Sequence, residues 1–568
     1  MKILVCLAVF LFAAPALAAP VRFVILGDRT GGHVPGIYGE AVELVNRLEP
    51  DFVITVGDMI EGYGDDSLAT EREWDEYDSI VSALDAPLYL VPGNHDIWSD
   101  ASEAVYRQRC GEPYRSFDIG GCHFVVVDNS RWNTSEELPA GQLAWLERDL
   151  AAHGDADWTA VFFHKPFWYE SVADGEPDTL HALCRAFGVD AVFSGHYHRY
   201  ASGTYDGIRY TLVGSSGGAL FDPELPGPGY HVLAVEAGAD LELTPVTLEG
   251  DTLAWAVLPV ADAKAAVRVR SGGLELLGAV PVDAGLAGAG RVRAVVHNVG
   301  AREACSASLR WTVPPGWTVE PEEATVELEP GGSDTVGFEP AGEGTLYPVP
   351  ELAVELPYAP GRTVGVSRSL PVRRSATGAR TRAAPVIDGV AGDICWPAPE
   401  TRLFDEHGPA GTDPTWFFFA ADEEYLYLAA ACLDRQLDSV RARARERDGA
   451  VWSDDCAGWF LQPDTSERAV YQLYVNPGGT VFDQRIEVNE AGYWSADRDW
   501  NARAEVATAR DDDGWSVEMR IPLADFGVDD VPGTWGLNFR RKQPRLGNGD
   551  WQVPISYDPD TYGRLVFP

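Results

Sequence analysis

Five short clusters of Gly, Asp, Asn and His, each set just after an apolar β-rich run, constrain this chain more than any other feature. In order they are Gly27-Asp28-Arg29-Thr30, Gly57-Asp58, Gly93-Asn94-His95-Asp96, His164 and Gly195-His196-Tyr197-His198. The apolar runs are Val21–Leu26, Phe52–Val56, Leu88–Val91, His123–Val127, Thr159–Phe163 and Ala191–Phe193. Between them, Tyr38–Leu48, Thr70–Leu84, Gly141–Ala152 and Thr179–Phe187 carry helical spacing. Strand–helix alternation of this kind predicts sheets covered by helices. Polar clusters at the carboxyl ends of such strands gather on one rim, where ligands of open α/β sheets bind.

The residue types on that rim point to metal. Carboxylates, one amide and several imidazoles suit two borderline divalent ions, such as Mn, Fe or Zn. Asp58 is the carboxylate best placed to bridge them. Each cluster alone is unremarkable, since Gly-Asp is usually a turn, but the ordered series is specific. No Walker-type phosphate loop is present, because Gly214-Ser-Ser-Gly-Gly218 lacks the lysine.

The series resembles the calcineurin-like metallophosphoesterase superfamily, whose pattern runs Asp-x-His, Gly-Asp, Gly-Asn-His-Asp/Glu, His and Gly-His-x-His. The resemblance implies an α-β-β-α four-layer sandwich and hydrolysis of phosphate mono- or diesters by a metal-activated hydroxide. Carried over, one ion takes Asp28, Asp58 and His198, and the other takes Asp58, Asn94, His164 and His196. His95 then faces the substrate and stabilises or protonates the leaving oxygen, with Asp96 orienting it. The sequence departs from the pattern at Thr30, where the family has His. His33 is a candidate replacement, against a solvent-exposed loop His. Arg29 is a candidate contact for substrate phosphate, against an outward surface Arg. Arg29, Thr30 and His33 thus stand as substrate-side candidates. Trp132, Phe167, Trp168 and Tyr169 are either cleft aromatics or core.

Composition narrows the partners. The chain has 568 residues, with 44 Lys+Arg against 87 Asp+Glu, a formal net charge of −43. Such a balance excludes sequence-independent nucleic-acid binding, which needs cations to neutralise phosphates. It also disfavours docking on an anionic membrane surface. Residues 1–18 read as a signal peptide: Lys2, an apolar run from Ile3 to Ala14, then Ala16-Leu17-Ala18. No later apolar run reaches the roughly 18 residues a membrane span needs. The expectation is a secreted or periplasmic protein. Beyond Cys6, seven cysteines remain, and Cys110 with Cys122 or Cys432 with Cys456 could pair.

Three regions follow from these patterns, with the first ending at 262. Residues 263–372 have no helical periodicity and alternate at Trp317-Thr-Val-Glu and Ala324-Thr-Val-Glu-Leu-Glu, so they read as an immunoglobulin-like β-sandwich spacer. Residues 373–384, with Arg373-Arg374 and Gly378, read as a linker. Residues 385–568 are all-β and hold nine of the 18 Trp. Val386-Ile-Asp388-Gly389, Trp396, Tyr425-Leu-Tyr-Leu, Trp452-Ser-Asp-Asp455 and Gly514-Trp515-Ser-Val-Glu-Met-Arg-Ile-Pro522 are similar to family 9 carbohydrate-binding modules. That resemblance implies a β-sandwich whose Trp faces stack on sugar rings of a polysaccharide or cell-surface glycan, with a structural Ca in acidic loops. Trp452 is the first candidate for stacking, then one of Trp494 and Trp500. The related haem-binding sandwiches need axial Met or His, and only His407 and Met519 lie here. The reading is an exported phosphoesterase with a glycan-binding tail. The rival is a non-catalytic surface or polysaccharide-binding protein with a degenerate phosphoesterase domain.

Overall fold

The computed structural model describes residues 19–568 except 64–66, 284, 301–302, 345, 394–395, 490–493 and 532. The proposed signal peptide and Cys395 lie outside the described residues. The chain divides into two compact units: residues 1–270 with 357–364, and residues 271–356 with 365–568.

Unit 1 is built on two sheets. The strands in chain order are β1 (Val21–Leu26), β2 (Phe52–Thr55), β3 (Leu88–Tyr89), β4 (Arg115–Ile119), β5 (Cys122–Val126), β6 (Trp158–Phe162), β7 (Ala191–Ser194), β8 (Ala201–Tyr205), β9 (Ile208–Leu212), β10 (His231–Ala237) and β11 (Leu241–Thr247). They order as β11-β10-β1-β2-β3 and β4-β5-β6-β7-β9-β8. The centre of each sheet is parallel: β1 with β2 and β2 with β3, then β5 with β6, β6 with β7 and β7 with β9. The helices are α1 (Ile37–Leu48), α2 (Ser67–Val81), α3 (Asp100–Cys110), α4 (Ala140–Ala152), α5 (Phe167–Glu170), α6 (Thr179–Ala186) and α7 (Val260–Gly272).

Side chains alternate across each strand, and both faces of the central strands are buried. Phe23, Ile25, Phe52 and Ile54 meet Phe124, Val126, Phe162 and Phe193 in a cluster formed by both sheets. Val24, Leu26 and Val53 pack instead with Tyr38, Val42, Trp74 and Tyr106 of α1, α2 and α3. Val125, Val161 and Val192 pack with Leu146, Leu150, Leu180 and Val260 of α4, α6 and α7. Burial on both faces explains why these strands read as continuous apolar runs. Helix α7 continues past residue 262 and seats Val260 and Ala263 in that last cluster. The first compact unit therefore ends later than the composition shift suggests.

Unit 2 is all-β apart from short single turns. Residues 373–384, read as a linker, instead carry strands. Val372–Thr377 pairs in parallel with Val280–Val282 through residues 372–374, and with Gly563–Val566 through residues 375–377. Ala379–Arg380 pairs with Ala420 and Ala421. Arg374 is 4% exposed, its guanidinium 4.8 Å over the Trp551 ring, with one nitrogen donating to the Arg402 carbonyl at 2.9 Å. A basic residue in a polar stretch is usually solvated; here an aromatic face and carbonyls receive it. Cys110, Cys122, Cys432 and Cys456 are free thiols, so neither anticipated disulfide forms.

Candidate metal centre

The parallel strands of unit 1 deliver their following loops to one rim. Asp28 follows β1, Asp58 follows β2, Asn94 follows β3, His164 follows β6, and His196 and His198 follow β7. Asp28, Asp58, Asn94, His164 and His198 are all buried. Ligating atoms of Asp58, His164 and His196 lie within 4.8 Å of one another. His198 Nε2 is 3.3 Å from Asp28 Oδ2. The anticipated ligands thus come together from segments nearly 170 residues apart (Asp28 Oδ2 accepts from the His196 N–H at 2.7 Å).

Backbone geometry fixes this arrangement. Asp58, His196 and His198 sit at φ of 64°, 77° and 51°, a region that side chains adopt at a cost of order 1–3 kcal/mol each. Glycines make the approach of the loops feasible. A Cβ at Gly93 would lie 2.1 Å from Asp58 Oδ1, and one at Gly195 would lie 2.2 Å from Asp28 Oδ1.

The donor set fits cations. Asp28 Oδ1 and Asn94 Oδ1 are buried without a hydrogen-bond partner. His164 Nε2 pairs with Asp58 Oδ2 at 2.9 Å. Its Nδ1 donates to the Val56 carbonyl at 2.8 Å, which turns Nε2 toward Asp58. His198 Nδ1 donates likewise to the Ala219 carbonyl at 2.6 Å. Anchoring one ring nitrogen to fix the other is how proteins orient metal-binding histidines. Burial, with His164 beside it, pushes His196 down to about 3, so this imidazole stays neutral and able to ligate. Burial pushes the Asp28 carboxyl well above the ordinary range, and nearby Asp58 adds to it. Such a group stays ionised only when a cation is supplied.

Other anticipated roles change. Asp96 does not orient His95. Its carboxylate accepts the N–H groups of Asp58, Met59 and Gly93, each at 2.8 Å, and so ties two ligand loops together. His95 is held instead by the Glu61 carbonyl, 2.5 Å from Nδ1, with its Nε2 4.0 Å from Asp58 Oδ2. Arg29 is not an outward surface residue. It is 4% exposed, pairs with Glu76, and donates to the Met59 carbonyl at 2.9 Å. His33 is partly exposed and pairs with Glu61 at 2.7 Å. Thr30 is buried beneath the same loop, its N–H on the Asp58 carbonyl.

A cleft of about 760 Å³ opens beside Asn94 and His196 and is lined also by Tyr63, Trp98, Lys165 and Tyr197. Tyr63 packs on the His95 ring at 4.3 Å and on Trp98 at 4.6 Å, and both aromatics are about half exposed. Sequence reading missed this pair; the signal was Trp98, two residues past the Gly-Asn-His-Asp cluster. Trp168 is core.

In unit 2, Trp452 and Trp494 are exposed at 38% and 55%, while Trp500 packs against the core and donates to the Asp525 carbonyl at 3.3 Å. Of the pair Trp494 and Trp500, only the first presents a free face. Asp413, Asp434 and Asp455 are buried together, but their counter-charges are Arg541 and Arg545, with Arg541 3.4 Å from Asp455.

Comparison with known proteins agrees with both halves. Residues 21–200 match the family model for calcineurin-like phosphoesterase, and residues 387–551 that for the carbohydrate family 9 binding domain-like fold. Serine/threonine-protein phosphatase CPPED1 of Homo sapiens is 31% identical over 221 residues, 35% of this chain and 69% of that protein. Purple acid phosphatase 15 of Arabidopsis thaliana is 25% identical over 225 residues, 32% of this chain and 40% of that protein. A solved family 9 carbohydrate binding module from Caldicellulosiruptor kristjanssonii, in complex with cellotriose, is 16% identical over 34% of this chain and 93% of its own, with a TM-score of 0.24. With its ligand loops on one rim and a relative of this identity and coverage, the chain belongs to the calcineurin-like phosphoesterases and is a metal-dependent phosphoester hydrolase with a C-terminal family 9 carbohydrate-binding-like domain.

Proposed function

We propose that the protein is an exported phosphoesterase with a four-layer catalytic domain and two metal sites, which its C-terminal domain carries to a glycan. The observation behind the metal reading is the pair of buried oxygens without hydrogen-bond partners, Asp28 Oδ1 and Asn94 Oδ1, beside the close group of Asp58, His164 and His196. Asp28, Asp58 and His198 would hold one ion, and Asp58, Asn94, His164 and His196 the other. When bound, the pair supplies an acidified water and positive charge at the phosphoryl oxygens. The chain's own groups do the rest. Asp96 keeps the Asp58 loop against the Gly93 loop. His95, its Nδ1–H donating a hydrogen bond to the Glu61 carbonyl, turns Nε2 toward the site, from where the ring in its doubly protonated form would give the Nε2 proton to the leaving oxygen. The cleft beside it receives the leaving group, with Tyr63 and Trp98 as its apolar wall. No protein nucleophile is required.

In the C-terminal domain, the exposed faces of Trp452 and Trp494 support stacking on sugar rings. The basic start and apolar run of residues 1–18 support export.

The test is hydrolysis of an aryl phosphate and an aryl phosphodiester by the intact chain. Activity should vanish on chelation and return with Mn²⁺; no turnover of either ester with metal present leaves the non-catalytic binding protein standing. Retention on insoluble polysaccharide should drop in Trp452→Ala and in Trp494→Ala. Equal retention of both variants and wild type would remove the stacking role.

A further inference from the structure

A second group of side chains able to ligate a metal lies at the other end of β5 from the rim described above. Asp118 of β4, His123 at the start of β5 and His153, just past α4, bring ligand atoms within 4.8 Å of one another. The two imidazoles stack, with centroids 3.8 Å apart and planes 12° from parallel. Each ring has one nitrogen already committed. His123 Nε2 meets Asp149 Oδ2 at 3.0 Å, and His153 Nδ1 meets the Asp149 carbonyl at 2.7 Å. Ser116 Oγ in turn donates to Asp149 Oδ1 at 2.8 Å, which fixes that carboxylate.

The other nitrogen of each ring faces a single carboxylate, and that of His123 is hydrogen-bonded to it, a bond that an ion would have to replace. His123 Nδ1 is 2.7 Å from Asp118 Oδ1, and His153 Nε2 is 3.9 Å from Asp118 Oδ2. An imidazole whose far N–H is held by a carboxylate or carbonyl is the arrangement that orients metal-ligating histidines. Asp149 serves both rings in this way. His123 is 1% exposed and Asp118 61%, so the cluster has a fixed floor and an open side where water can complete the coordination.

We propose that Asp118, His123 and His153 bind one borderline divalent ion of the Zn²⁺ class, separate from the catalytic pair, and clip the β4–β5 hairpin to the end of α4. Two imidazoles and one carboxylate match that class rather than Mg²⁺ or Ca²⁺. The proposal does not depend on the phosphoesterase reading.

The experiment is equilibrium dialysis of the chelator-stripped, full-length protein against Zn²⁺, with bound metal counted per chain. Wild type should hold one equivalent more than Asp118→Asn and one more than His153→Gln, whatever the catalytic rim binds. Saturating Zn²⁺ should raise the melting temperature of His164→Ala, and adding His153→Gln should cancel that rise. Both single variants should keep phosphoesterase activity within about twofold of wild type at saturating Mn²⁺. If His153→Gln fails to fold, Asp118→Asn, at an exposed carboxylate, carries the comparison. Equal Zn²⁺ stoichiometry in wild type and the folded variants would reduce the cluster to a salt-bridged staple and overturn the proposal.

Discussion

Both halves of this molecule bury acidic groups, and they neutralise them differently. On the metal-centre rim, the ion-pair partners of Asp28 and Asp58 are imidazoles, and the buried oxygens Asp28 Oδ1 and Asn94 Oδ1 have no hydrogen-bond partner. In unit 2, Asp434 and Asp455 lie against Arg541, which is itself fully buried, and Arg545 closes the group. A buried carboxylate needs compensation in either place. Where the chain supplies its own guanidinium, the cluster is finished and structural. Where it supplies only lone pairs, the missing charge has to come from solution, and the site can do chemistry.

The largest effect expected from this contrast is at His164. His164→Ala should lose at least one ion and cut turnover by more than about 10³-fold, with the circular dichroism of the folded chain unchanged. Near-normal activity in that variant would break the assignment of the rim. His95→Ala should keep its full metal content by elemental analysis and lose about 10²–10⁴-fold in rate, as removal of an acid does. A fall in metal content would instead make His95 a ligand.

The two clusters should then part company in stability. Arg541→Leu removes the fully buried counter-charge of Asp434 and Asp455, leaves them only Arg545 as a guanidinium, and should cost up to about 3–5 kcal/mol in a urea melt of unit 2. In metal-stripped protein, Asp28→Asn removes a carboxyl whose ionised form burial disfavours, and should leave the unit 1 melt unchanged or raise it. Destabilisation by both substitutions to the same degree would erase the distinction.

The smallest effect is a pH dependence confined to unit 1. Burial holds His231 down to about 4, so between pH 6.5 and 4 the unfolded chain binds a proton that the folded chain refuses. Stability from this residue is complete above pH 6.5 and falls away toward pH 4, by an amount of order 1–3 kcal/mol. Acid melts of the chelated protein should therefore lower the unit 1 transition first, and His231→Gln should flatten its slope.

The convergence of the candidate ligands was legible in the sequence because each follows an apolar run, and parallel strands send such positions to a common rim. Roles that depend on partners far along the chain were not legible. Arg29 is explained by Glu76 on α2, and Asp96 by amides at 58, 59 and 93. Neither partner is implied by local spacing. The Asp118–His123–His153 group escaped for the same reason, since one member lies 30 residues from the next. The supposed linker failed differently. Arg, Ser, Thr and Gly suit a solvated tether, but they also suit a strand whose one buried Arg has found an aromatic face.

That strand bears on how such a protein could be assembled by recombination. The carbohydrate-binding-like match begins at residue 387 and ends at 551, yet Ser375, Ala376 and Thr377 are the ladder partners of Arg564, Leu565 and Val566. The heritable segment is thus shorter than the folding unit at both ends. A breakpoint at the composition change near residue 385 would strip a donated strand from the sheet and expose an edge ready to pair with another chain. A transplantable version of this module has to start upstream of Val372 and run through Val566.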